Sequence, residues 1–307
     1  MVRRELITAW SDRPAGAIER SDVIAMVRDV RSRRGASAAR KAFAQASRVF
    51  SWALGNDLGG VKFNACTGIR TGDIIGSIAE RHHVLSDQEL RAVWNASEEV
   101  GYPFGLLYQL LLLTGCRLKE LAKARWSEVE SDIITVPAIR MKGNLPHVVP
   151  LTGLALRLLE TVPRFDGPHI FTTTGGRRPV SGFSKAKARL DRLITEPVEQ
   201  FVVHDFRRTV RTGLSRLGVV DHVAERVVAH IDGGVKRTYN RYSYLSEKRA
   251  ALEAWSTRPR EIVGTITHEG NGTRKPPSLS SHRWSLKRRA PTSMSRTDPG
   301  TIKRRSS

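Results

Sequence analysis

Apolar residues recur at helical spacing along most of this chain. Between residues 20 and 54 they predict two helices, one with a face of Val23, Ile24, Met26, Val27 and Val30, the other with Ala44, Ala46, Val49, Phe50, Trp52 and Ala53. Gly59, Gly60, Asn64 and the irregular stretch to His83 read as a linker. Leu85-Ser86-Asp87-Gln88-Glu89 then opens a new helix, with Ser86 as N-cap and Glu89 completing a capping box, which sets a domain boundary near residue 80. Two more helical stretches, Leu106 to Leu113 and Leu118 to Trp126, are separated by Thr114 and Gly115.

The period then changes from helical to alternating. Ile133 to Val136 and His147 to Val149 predict two short strands joined across the turn-like triplet Lys142-Gly143-Asn144. Helical spacing returns over Gly153–Leu159, Lys185–Ile194, Asp205–Leu217, Asp221–Ala229 and Glu247–Trp255. The fold class is therefore mainly α with a small antiparallel β-sheet, and no repeat of fixed period emerges. From Ser256 to Ser307, Pro, Ser, Thr, Gly and Arg dominate and apolar residues stand alone, so this stretch reads as a disordered tail.

Charge changes the picture. The 307 residues hold 51 Lys and Arg against 30 Asp and Glu, a formal net charge of +21. The tail accounts for +9, and +12 remains on residues 1–255, so the folded part is basic in its own right. Polyanionic partners follow, nucleic acid first and an anionic membrane surface second. Cys66 and Cys116 are the two cysteines, with no disulfide framework and no zinc spacing, as expected in a reducing cytoplasm. The longest apolar run, Leu106 to Leu113, falls far below the roughly 20 residues of a membrane span and reads as a buried helix. The N-terminus has no apolar signal core, so nothing targets the chain for export.

The candidate chemistry begins with what is missing. There is no G-x-x-x-x-G-K-[ST] loop, so ATP use is not expected, and the nine histidines form no metal pattern. What stands out is a scattered set of cations and a tyrosine. In Thr114-Gly115-Cys116-Arg117-Leu118-Lys119-Glu120, Arg117 sits in the first turn of a helix with Glu120 at i+3, which aims a guanidinium near a positive helix end. His204 and Arg207 stand three apart on one helical face. His230 is followed nine residues later by Tyr239, whose hydroxyl can attack a phosphodiester if its proton is removed and nearby cations neutralise the phosphorane. Each element alone has an ordinary structural reading: a surface ion pair, a chance spacing in a basic helix, and a packing tyrosine like Tyr242 or Tyr244.

The ordered combination resembles the tyrosine recombinase (phage integrase) family: Arg117 in T-G-x-R-x-x-E, Lys142 on a strand-turn-strand, H-x-x-R at His204 and Arg207, His230, and then Tyr239. Residues 20–255 are covered, with local wording similar to integrases of genomic islands and satellite phages. The resemblance implies a recombinase catalytic domain over 84–255, preceded over 1–80 by a partial helical core-type DNA-binding domain, with 256–307 as a basic tail outside it. Because relatives of this subgroup carry more sequence before the core-binding domain, the N-terminus reads as truncated.

The implied activity is site-specific recombination of double-stranded DNA, for integration or excision of a mobile element, without metal, ATP or other cofactor. Arg117 and Arg207 would clamp the scissile phosphate, while His204 and His230 would donate hydrogen bonds and manage the proton of Tyr239. Tyr239 would form a 3′-phosphotyrosyl link, and Lys142 would protonate the leaving 5′-oxygen; Glu120 would orient Arg117. The implied partners are DNA gripped between the two domains, a homotetramer on synapsed DNA, and DNA-bending or excision factors, in the bacterial nucleoid. Two other readings compete: a catalytically idle DNA-binding remnant, and a type IB topoisomerase acting as a monomer.

Overall fold

Val23, Met26, Val27 and Val30 line one side of a helix that packs against a face made largely of alanine, and this pairing organises the N-terminal part of the molecule. The computed structural model describes residues 2–77, 82–230 and 242–264. The pair comprises α2 (Arg20–Arg34) and α3 (Ala36–Gly55), and they part at Gly35, whose φ of 81° ends α2. The buried face of α3 is Ala39, Ala42, Ala46, Phe50 and Ala53, so Val49 and Trp52, expected on that face, point outward. Small side chains let the two helices approach closely, which decides the rotation of α3 over the pull of its larger apolar residues.

Two elements of this part lie outside the sequence expectation. Helix α1 (Val2–Trp10) is held by the ring of Trp10 against Phe50, 5.8 Å between centroids, and by buried Glu5, which pairs with Arg33 and Arg34 of α2. The presumed linker is also part of the core: Val61, Ala65, Cys66 and Ile75 are buried, and α4 (Thr71–Ile75) is fixed by a 2.8 Å hydrogen bond from Arg31 Nη1 to Ile74 O. Asn64 closes the turn between them, donating through Nδ2 to Ser51 Oγ at 2.8 Å and accepting from the Cys66 N–H at 2.9 Å.

A second, separate set of buried residues runs from Leu85 to Trp255. Its first helix, α5 (Asp87–Val100), opens on the expected capping box between Ser86 and Glu89. At its centre lies α6 (Phe104–Thr114), buried on nearly every face. Each fully buried leucine there, such as Leu107 or Leu112, stabilises the fold by about 1.5–3 kcal/mol. Around α6 pack α5, α7 (Leu118–Ala122), α8 (Gly153–Glu160), α10 (Val203–Arg216) and α12 (Leu245–Gly264), while α9 (Phe183–Leu193) covers α5 and α11 (Asp221–Val227) packs on α10 and α12.

One antiparallel sheet completes this part, in the order β1 (Val129–Glu130), β2 (Ile133–Val136), β3 (His147–Pro150), with Thr135 opposite Val148 and Val136 opposite His147. The fold is thus mainly α with a small antiparallel sheet. The β2–β3 connection is longer than the expected triplet: it includes a 3-10 turn at Ala138–Arg140 before Lys142.

The C-terminal end departs from the expectation of disorder after Trp255. Helix α12 continues to Gly264, through Pro259. Trp255 donates its Nε1–H to Leu112 O at 2.8 Å, and its ring lies where a Cβ on Gly213 would come within 2.1 Å. Beyond it, Ser256 is buried and Arg258 pairs with Asp87 of α5 at 2.5 Å. Tertiary contacts of this kind are invisible to composition. Residues 265–307 lie outside those described.

Candidate active site

Gly115 ends α6 in the left-handed region, φ 66°, at the break between the two helical stretches that the sequence places there. A Cβ there would also meet Val210 Cγ1 at 3.0 Å, so both backbone and packing favour glycine. Two residues on, Arg117 is the N-cap of α7. Buried Glu120 accepts the Arg117 backbone N–H at 2.8 Å and Nη1 at 2.7 Å. One carboxylate therefore fixes both the helix start and the orientation of the guanidinium.

Helix α10 brings a second arginine to the same place. Asp205, fully buried, accepts the Val202 N–H at 2.8 Å and pairs with Arg208, which starts the helix so that His204 and Arg207 fall in its first turns. Phe206 packs edge-on against Tyr108 of α6, 6.0 Å between centroids, and sets the rotation of α10. Arg207 is 4% exposed and donates through Nη1 to Gly115 O at 2.8 Å. Its Nη2 is buried without a hydrogen-bond partner among the described residues. Burial and then the nearby charge of Arg117 push the Arg207 pKa down to about 10. His204 remains open to solvent, yet desolvation and the charges of Arg208, Arg207 and Arg117 hold its imidazole below the usual range. Three of the expected site residues thus share one field of positive charge.

The other expected residues stand differently. His230 follows α11, exposed, with its N–H donating to Glu225 O at 2.8 Å and its Nδ1 2.7 Å from Glu225 Oε2. Glu225 is itself held by Arg211 Nε at 2.7 Å. With Nδ1 engaged by a carboxylate, Nε2 is the ring nitrogen left to meet a substrate or take up a proton. Lys142 is exposed on the β2–β3 connection, and no described contact ties it to the arginines. Tyr239 lies outside the described residues. Among the described residues no group of three His, Cys, Asp or Glu side chains could hold a metal ion, and no helix is long and apolar enough to cross a membrane.

Two buried polar residues near this field went unnoticed in the sequence. His147 on β3 is 7% exposed, and burial followed by the charges of Lys248, Arg207 and Arg117 push its imidazole down to about 3. Lys248 on α12 is 5% exposed, and burial pushes its ammonium down to about 8. A signal for the lysine was present: Lys248, Ala251, Leu252 and Trp255 follow i, i+3, i+4, i+7 spacing, so the lysine occupies the apolar stripe.

Comparison with known proteins gives the family and the fold. The profile of the Phage integrase family matches residues 83–246. Prophage integrase IntA of Escherichia coli K12 is 34% identical over 155 residues, covering 49% of this chain and 37% of IntA. Prophage integrase IntZ of the same strain is 32% identical over 174 residues, covering 55% of this chain and 42% of IntZ. The chain therefore spans less than half the length of these curated relatives. Among solved structures, a lambda integrase dimer bound to a COC′ core site matches 75% of this chain and 85% of its own with a TM-score of 0.59 at 19% identity. The Tn1549 transposon integrase in complex with circular intermediate DNA matches 82% and 91%, with a TM-score of 0.56 at 15% identity. At such identities the likeness is one of fold.

Proposed function

Because this chain belongs to the phage integrase family, we propose that it is a site-specific DNA recombinase that cuts and rejoins DNA through a tyrosine-linked intermediate. The observation that carries the proposal is the buried, unpartnered Nη2 of Arg207 beside the charge of Arg117. A buried guanidinium donor without an acceptor is costly, and the cost falls when an anion is delivered to it. A scissile phosphate, with two nonbridging oxygens, is the anion of matching shape.

In this reading Arg117, Arg207 and His204 hold the phosphate. His230, fixed at Nδ1 by Glu225, takes up the proton of Tyr239 through Nε2 as the phenolic oxygen attacks phosphorus. The bond from phosphorus to the 5′-oxygen breaks, and Lys142 supplies that oxygen with a proton. The phosphotyrosyl link conserves the bond energy, so rejoining requires neither nucleotide hydrolysis nor a metal. The N-terminal helical core, over about residues 1–80, would grip the DNA opposite a catalytic part that begins near residue 84 and closes on α12. Recombination would take place in a tetramer on synapsed DNA in the bacterial cytoplasm, with DNA-bending or excision factors assisting.

The test is to incubate the protein with labelled, nicked duplexes tiling the sequence that flanks its native gene. A denaturation-resistant protein–DNA adduct that leaves a free 5′-hydroxyl is the expected result. Tight binding to these duplexes with no adduct at any position would instead favour an idle DNA-binding protein, and relaxation of plasmid DNA by a monomer would favour a topoisomerase.

A further inference from the structure

Strand β3 is tied to two helices by consecutive residues. His147 Nε2 lies 3.1 Å from Val227 O, near the end of α11; a carbonyl only accepts, so this nitrogen carries the hydrogen. Lys248 Nζ, in the first turns of α12, donates to Val148 O at 2.6 Å. Helix α11 leads into His230 and α12 follows Tyr242, so the two bonds reach either flank of residues 231–241, the segment that contains Tyr239. The same strand begins five positions after Lys142.

Neither residue is a comfortable choice for stability alone. Among the described residues no carboxylate pairs with Lys248, and a buried ammonium held by one carbonyl is expensive compared with a methionine of similar shape. Burial, and then the charges of Lys248, Arg207 and Arg117, keep His147 neutral, so it contributes a directed hydrogen bond without adding to the positive field.

We propose that Lys248 and His147 are positioning residues: by tying β3 to α12 and α11, they hold the two helices on either side of residues 231–241 in one frame with the connection that carries Lys142. The inference rests on the recombinase reading above. It places a specific demand on the strand: a shift of about 1 Å between nucleophile and phosphate can cost on the order of 100-fold in rate. Removing either bond would therefore slow attack by the tyrosine as well as protonation of the leaving oxygen.

Single-turnover cleavage by K248M, measured at saturating DNA, tests this. The expected result is a rate about 10- to 100-fold below wild type, with DNA affinity within about twofold of wild type because phosphate contacts dominate it. A substrate with a bridging 5′-phosphorothiolate, which leaves without a proton, should restore K142A but leave K248M slow. Wild-type cleavage by K248M, or its full recovery on the phosphorothiolate, would overturn the inference. Should K248M not fold, the pair H147Q and H147M decides the matter. Glutamine keeps a donor near the Nε2 position and should retain most of the rate, methionine should not, and equal rates in the two would overturn the proposal. A wild-type protein that forms no adduct would remove the recombinase reading and this inference with it, whereas wild-type cleavage with unimpaired K248M would remove this inference alone.

Discussion

The Nη1 of Arg207 donates to the carbonyl oxygen of Gly115 at 2.8 Å, which fastens a guanidinium on α10 to the residue that ends α6, two positions before Arg117. One hydrogen bond thus sets the spacing between two arginines whose mutual repulsion would otherwise push them apart. The second nitrogen, Nη2, is buried without a hydrogen-bond partner among the described residues.

Substituting Arg207 by Lys keeps the charge but loses the fork. Cleavage by R207K at saturating DNA should fall about 10²–10³-fold, the usual loss for one preorganised donor in the transition state. DNA affinity should change by less than about threefold, since many phosphate contacts share it. Single-turnover rates beside a filter-binding titration separate the two, and an unimpaired rate would remove Arg207 from the phosphate.

Gly115→Ala places a side chain at φ 66° and 3.0 Å from Val210. The left-handed backbone alone should lower stability by about 1–2 kcal/mol, measured by urea unfolding. Cleavage should suffer as well, because the carbonyl that holds Arg207 moves. A variant with native stability would mean that the helix end relaxes freely.

The pH dependence of stability reports on His147. Its folded pKa is about 3, below the ordinary imidazole value, so the unfolded chain takes up a proton first as pH falls. Stability is therefore unaffected above about pH 6.5, is lost from there down to about pH 3, and changes at up to about 1.4 kcal/mol per pH unit for this one group. H147Q should be less steep than wild type over that window in thermal melts. Parallel curves would show that His147 is not held neutral.

Removing residues 265–307, which leaves α12 intact, takes away ten of the tail's basic side chains. If they touch phosphates, binding to random duplex weakens and the slope of log K against log salt flattens by about 0.9 for each phosphate no longer neutralised. Cleavage at saturating protein should not change. An unchanged slope would make the segment an inert extension.

What could be read in advance follows from where the causes lie. The capping box at Ser86 and Glu89, the apolar α6 and the strand at Ile133–Val136 are specified within a few residues, and they stand as expected. Helix α1 and the ordering of Val61–Ile75 depend on packing against α2 and α3, which no local pattern contains. Arg117, His204 and Arg207 stand out through their spacing, and the structure adds what fixes them: Glu120 orients Arg117, Asp205 starts the helix that carries His204 and Arg207, and Gly115 O holds Arg207. Lys248 escapes notice because a lysine in a charged helix reads as solvated, although its place on the stripe of Ala251, Leu252 and Trp255 signals burial; its acceptor, Val148 O, lies 100 residues away.

The proposed mechanism stands on Tyr239 as the nucleophile, and the neighbouring Tyr242 and Tyr244 make it worth locating directly. Trypsin cuts after Arg237, Arg241 and Lys248, so Thr238-Tyr239-Asn240-Arg241 is separated from the peptide holding the other two. Mass spectrometry of the trypsin-digested, nuclease-trimmed adduct should find the nucleotide on the Thr238–Arg241 peptide, and none should form with Tyr239→Phe. A nucleotide on the Tyr242–Lys248 peptide, or an adduct that persists in Tyr239→Phe, would contradict it.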